Sequence, residues 1–182
     1  MECSKINIIF DNRRQEKYQP LIDTLSEHGI SDYKLWPCVM VNNVVESINL
    51  SHKLLVKYAK DIDADEITIA EDDLMFTSPN AWQYYLDNKP KDFDLYLAAT
   101  YIVPISNNKI CGFHLYTIRK KFYDKFLSKP DDVHCDTYMD ELGGDYHFCY
   151  PFPALQRMGF SANNKAVVDY NKVLSPQDIY QG

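Results

Sequence analysis

The chain has 182 residues, of which 46% are apolar and 25% charged, and its net charge is −7. That length suits one domain with a sizeable core. The acidic balance excludes a nucleic-acid scaffold, which needs a Lys/Arg surplus gathered on one face. No run approaches the roughly 20 apolar residues of a membrane span. Residues 1–5 are polar and the apolar run Ile6–Phe10 is too short for a secretory signal, so the expected compartment is the cytoplasm. The five cysteines are scattered without a CxxC pair and read as reduced thiols rather than a zinc site.

Lys5 to Phe10 is apolar and β-branched and then turns polar at Asp11-Asn12-Arg13-Arg14, which predicts a buried strand ending in a loop. Apolar residues recur at helical spacing from Gln15 to His28, with Gly29 as the C-terminal cap. A short strand follows at Tyr33–Val39, then a helix over Ser47–Lys60. Glu66 to Ala70 is a strand with Glu71-Asp72-Asp73 at its C-terminal end. Asn80–Leu86 is a short helix, Phe93–Ala99 a strand, and Gly112–Ile118 a strand running into a helix at Lys120–Ser128. Asp136–Leu142 reads as a helical turn broken by Gly143-Gly144. Residues 163–182 show no periodicity and are expected to form a weakly structured tail on a single 1–182 domain. Strands alternating with helices predict an α/β fold with a mostly parallel central sheet flanked by helices.

The acidic triplet Glu71-Asp72-Asp73 carries the chemistry. Three adjacent carboxylates at the end of a buried strand repel one another and call for a compensating cation. Mn²⁺ or Mg²⁺ is the natural choice, because it takes oxygen ligands and leaves room for substrate phosphates. Ligands in open α/β sheets bind beyond the carboxyl ends of strands, where this triplet lies. The plainer alternative is a solvated loop in which Asp73 caps the next helix. An EF-hand over Asp61–Asp72 fails for want of a glycine at its sixth position. A two-metal phosphohydrolase is a poor reading, because Asp61, Asp63 and Asp65 belong to the opposite end of the strand.

The order of these elements resembles glycosyltransferase family 25, the lipopolysaccharide-type glycosyltransferases of GT-A (Rossmann-like) fold. The likeness rests on Asn7–Arg14 at the first strand end, on Ser51-His52-Lys53-Leu54-Leu55, and on Ile67–Asp73. It continues through Gly112–Ile118, Cys135-Asp136-Thr137-Tyr138, Pro153–Gln156 and Ser161. It implies a metal-dependent hexosyltransferase moving sugar from a nucleotide-sugar, with a UDP-sugar as the expected donor, to a glycan or lipid-linked acceptor. A non-catalytic GT-A-like nucleotide-sugar-binding or interaction domain is the alternative.

In the roles the resemblance implies, Asp11, Arg13, Arg14, His52, Glu71 and Asp72 border the nucleotide-sugar. Asp73 holds the metal, with His147 as a second ligand. An inverting transfer also needs a base for the acceptor hydroxyl. Asp136 is the first candidate and Asp140 the second, four residues apart and so on one helix face. Asp136 reads equally as a cap over Met139. Trp82, Tyr84 and Tyr85 read as packing residues, Tyr101 as a looser candidate for acceptor stacking, and His28 as a helix-end charge.

Overall fold

The computed structural model describes residue 3 and residues 5–102 and 110–182. Its centre is a six-stranded sheet formed by β1 (Ile6–Phe10), β2 (Tyr33–Pro37), β3 (Glu66–Glu71), β5 (Leu95–Leu97), β6 (Leu115–Arg119) and β7 (Tyr146–Phe148). The strand order is β2-β1-β3-β6-β5-β7. All strands run in parallel except β6, which is antiparallel to both of its neighbours. A smaller ladder pairs β4 (Leu74–Phe76) with β8 (Ala154–Gln156). A hairpin joins β9 (Gly159–Ser161) to β10 (Ala166–Val168).

The alternation of side chains across each strand divides the core into two halves. Ile6, Ile8, Phe10, Ala70 and Leu115 face one side, where α1 (Tyr18–Glu27) and α3 (Ala81–Asp87) pack through Leu21, Leu25, Trp82 and Tyr85. Ile9, Ile67, Ile69, Tyr116 and Ile118 face the other. There α2 (Val44–Asp61) and α4 (Tyr123–Leu127) contribute Leu55, Val56, Ala59 and Phe126, and Met139 of α5 (Met139–Leu142) joins them. Both faces of the sheet are buried, which is why its strands read as continuous apolar runs. Among the described residues, no helix is long and apolar enough to cross a membrane.

Element boundaries differ from expectation where local hydrogen bonding intervenes. The first helix begins as a 3-10 turn at Gln15–Lys17 before α1. It ends as predicted at Gly29 (φ +64°): Ile30 N–H reaches Leu25 O at 2.9 Å and Gly29 N–H reaches Ser26 O at 3.0 Å. Helix α2 starts three residues earlier than read, because the Asn43 side chain accepts from Val45 N–H and Glu46 N–H and so caps it.

Residues 163–182, read as a weakly structured tail, contain β10 and a 3-10 turn at Tyr170–Val173. Phe152 N–H donates to Asp178 O at 2.7 Å and Tyr180 N–H to Phe152 O at 3.0 Å. Tyr180 stacks on Tyr84 with ring centroids 3.8 Å apart.

Candidate functional site

Because β1 and β3 are parallel neighbours, their C-terminal ends open on the same edge, with Ile9 level with Glu71. This brings the Asp11–Arg14 loop against the acidic triplet. Asp72 Oδ2 accepts from Asp11 N–H at 3.0 Å, so Asp72 ties the two strand ends together. The cation beside the carboxylates is one the sequence reading passed over. Lys17 Nζ lies 2.5 Å from Asp72 Oδ1 and 3.2 Å from Asp73 Oδ2, with only 12% of its side chain exposed. Burial works against the Lys17 charge, yet the Asp73 and Asp72 carboxylates outweigh it and hold the ammonium above the ordinary lysine value.

The β4–β8 ladder supplies the other wall. Leu74 pairs with Gln156, which places the Gln156 side chain to donate to Asp73 Oδ2 at 3.0 Å. Arg157 N–H donates to Asp73 O at 2.7 Å, and its guanidinium reaches Thr24 Oγ1 at 3.0 Å. Asp73 Oδ1 is buried and has no donor among the described residues.

These groups line a cavity of about 530 Å³ with Asp11, Arg13, Arg14, Lys17, Glu71 and Arg157 among its walls. Arg14 is held by Phe160 O at 2.9 Å, whereas the exposed Arg13 pairs with Asp11 at 2.7 Å. The Arg13 guanidinium holds the Asp11 carboxyl below its usual value.

His52 is buried on α2. Its Nδ1 lies 2.9 Å from Tyr116 Oη and its Nε2 3.1 Å from Glu71 Oε1. Burial lowers its pKa to about 3, with the Lys129 charge helping, so the ring is neutral. Burial and the adjacent Asp73 carboxylate push Glu71 well above the ordinary carboxylate range. His52 therefore holds Glu71 in place, and it lines this cavity and the smaller one beside it.

A second cavity of about 340 Å³ adjoins the first, and Glu71, Gln156, Ser161, Asn163 and Tyr170 line both. Asp136 lies in its wall, outside any helix. Its Oδ2 accepts from Gly112 N–H at 2.7 Å and its Oδ1 from Thr137 N–H at 2.8 Å. It therefore does not cap Met139 through its side chain, and it does not share a helix face with Asp140. Asp140 is exposed, and its carboxylate accepts from Ile110 N–H at 3.1 Å, so both carboxylates fasten the 110–112 segment. Gly112 sits at φ +114°, with the Tyr101 ring 3.1 Å from where a Cβ would stand. Tyr101 lines this cavity, stacks on Tyr170 at 5.5 Å, and accepts from Gln156 N–H at 2.8 Å.

The structure does not bring His147 to Asp73. His147 lies on β7, three strand spacings from β3, roughly 14 Å away across the sheet. Its register partner chain runs through Tyr96 and Thr117 to Thr68, below the triplet, and its Nε2 meets Asp145 at 3.0 Å. Among the described residues, no group of three or more His, Cys, Asp or Glu side chains is set to hold a metal. Trp82 and Tyr85 are buried, as their spacing predicts. His28 ends α1 with its two ring nitrogens 2.8 Å from Thr24 O and 2.9 Å from Ser78 O. Besides Lys17, the sequence reading missed Arg157 and the role of Gln156. The available signal for Lys17 was a third cation within five residues of Arg13 and Arg14, close behind a strand end.

No protein-family model and no curated protein matches the chain. Among solved structures, A197 from STIV superposes with a TM-score of 0.57 at 14% identity, covering 92% of this chain and 93% of that one. The catalytic domain of Drosophila beta1,4-galactosyltransferase 7, in complex with xylobiose, superposes with a TM-score of 0.53 at 14% identity. The match covers 81% of this chain and 64% of that one, so the chain spans under two thirds of that protein. The chain has a GT-A fold. A glycosyltransferase involved in the glycosylation of the major capsid of PBCV-1 also matches, with a TM-score of 0.49 at 10% identity. In this GT-A sheet the triplet stands where β3 ends, with all three residues on the larger cavity and Glu71 on the smaller one as well.

Proposed function

We propose that the chain is a glycosyltransferase that takes a sugar from a nucleotide-sugar in the larger cavity and passes it to a hydroxyl acceptor in the smaller one. The observation that carries this reading is that Glu71 and Gln156 line both cavities, so a donor and an acceptor would meet at the triplet. Lys17, Arg14 and Arg157 offer positive charge for a diphosphate beside Asp73. The Asp136 carboxylate keeps lone pairs free of its two N–H donors and would take the proton of an attacking acceptor hydroxyl. Tyr101 would give a sugar ring an apolar face.

A divalent ion, Mn²⁺ or Mg²⁺, would take Asp73 Oδ1, the buried acceptor without a donor, as its protein ligand. When bound it would supply Lewis-acid stabilisation of the departing nucleoside diphosphate. His147 belongs to no such shell in this reading. A UDP-sugar donor and a lipopolysaccharide-type acceptor, as in family 25, remain the specific choices that the motif order supports.

The test is release of nucleoside diphosphate from a panel of UDP-, GDP-, CMP- and dTDP-sugars with candidate glycan acceptors. The expected result is turnover with one donor, lost by about 100-fold or more in Asp73→Asn. Donor binding without turnover under any acceptor would instead make the chain a nucleotide-sugar-binding domain.

A further inference from the structure

We infer that Lys17 is a cation built into the chain for this site, one that lets it hold a nucleoside diphosphate without a divalent ion and that competes with such an ion for Asp72 and Asp73. This rests on the donor-site reading above.

Lys17, Asp72 and Asp73 are nearly buried together, with 12%, 10% and 14% of their side chains exposed. Two buried carboxylates without a partner would be strongly unfavourable, and the ammonium between them offsets part of that penalty, burial still holding Asp72 above its ordinary value. Of the four carboxylate oxygens, Asp72 Oδ2 takes Asp11 N–H, Asp72 Oδ1 takes Lys17, and Asp73 Oδ2 takes Lys17 and Gln156. A divalent ion approaching Asp73 Oδ1 would therefore meet a positive charge already seated on the same carboxylate.

Lys17 nonetheless reaches the cavity wall. It lines the larger cavity with Arg14 and Arg157, both anchored by protein oxygens, so these cations are held before any ligand arrives. An ammonium has three N–H donors, and two are directed at Asp72 and Asp73. The third is left for a phosphate oxygen. Its place in the 3-10 turn between the β1 loop and α1 fixes this position.

The experiment measures Mn²⁺ alone by electron paramagnetic resonance, and UDP by calorimetry in EDTA and in Mn²⁺, on wild type and Lys17→Met. The expected results are Mn²⁺ binding about tenfold tighter in the variant and UDP binding in EDTA about tenfold weaker. Unchanged Mn²⁺ binding together with unchanged UDP binding in EDTA would overturn the inference while leaving the donor site standing. If Lys17→Met fails to fold, wild type decides. UDP affinity within about threefold between EDTA and Mn²⁺ supports the built-in cation, and a loss of about 100-fold in EDTA overturns it. Failure of UDP, GDP, CMP and dTDP alike to bind wild type in either buffer would sink the donor-site reading instead, and the Mn²⁺ arm would still decide whether Lys17 competes for the carboxylates.

Discussion

At Glu71, burial and the Asp73 carboxylate both favour the protonated acid, so its folded pKa lies above the ordinary 4.5. Its contribution to stability is therefore full below about pH 4.5 and is lost as pH rises. His52 has the opposite sign. Its folded pKa of about 3 lies below the ordinary 6.5, so its contribution is full above pH 6.5 and is lost as pH falls toward 3. Removing the carboxyl should separate the two. Between pH 4.5 and 6.5 the two slopes oppose each other, so thermal melts of wild type should fall in midpoint from pH 6.5 to pH 8, and Glu71→Gln should flatten that alkaline slope while leaving the acid limb. Asp136 is tested by rate rather than stability. Asp136→Asn should lower kcat about 100-fold or more with donor affinity unchanged, and an unchanged kcat would remove it as the base.

At the scale of elements, the reach of the sequence depends on whether partners are local. Strands β1 and β3 were legible because both of their faces are buried, and the Gly29 cap was legible because its hydrogen bonds span a few residues. Lys17 was not, since helical periodicity treats it as a polar residue and its carboxylates lie 55 and 56 positions away. His147 was misplaced for a topological reason. The reversed β6 inserts between β3 and β5, and β7 is thereby carried to the sheet edge. No local pattern announces that reversal.

Two substitutions test this level. Gly112→Ala would combine a positive φ with a Cβ against the Tyr101 ring, and should cost about 1–3 kcal/mol in denaturant unfolding. Tyr180→Ala would remove the Tyr84 stack and the hydrogen bond from Asn80 at 3.0 Å, and should cost about 1–2 kcal/mol. No loss in the second would mean that the C-terminal segment does not brace α3.

For the molecule as a whole, the central claim is that the two cavities meeting at the triplet form a donor site and an acceptor site. The Asp11–Arg14 loop meets the triplet there because parallel strands release their chains on one side, and the β9–β10 hairpin joins them through the bond from Arg14 to Phe160 O. The fold class and the triplet's place followed from periodicity. The partition into two cavities did not, because it depends on the β4–β8 ladder setting Gln156 beside Asp73, 83 residues apart in the chain.

The most direct test is calorimetric titration of wild type and Asp73→Asn with UDP-, GDP-, CMP- and dTDP-sugars, each with and without Mn²⁺. The account predicts saturable binding of one nucleotide class by wild type and binding weakened at least about tenfold in the variant. Binding of no donor by folded wild type, or equal binding by the variant, would contradict it.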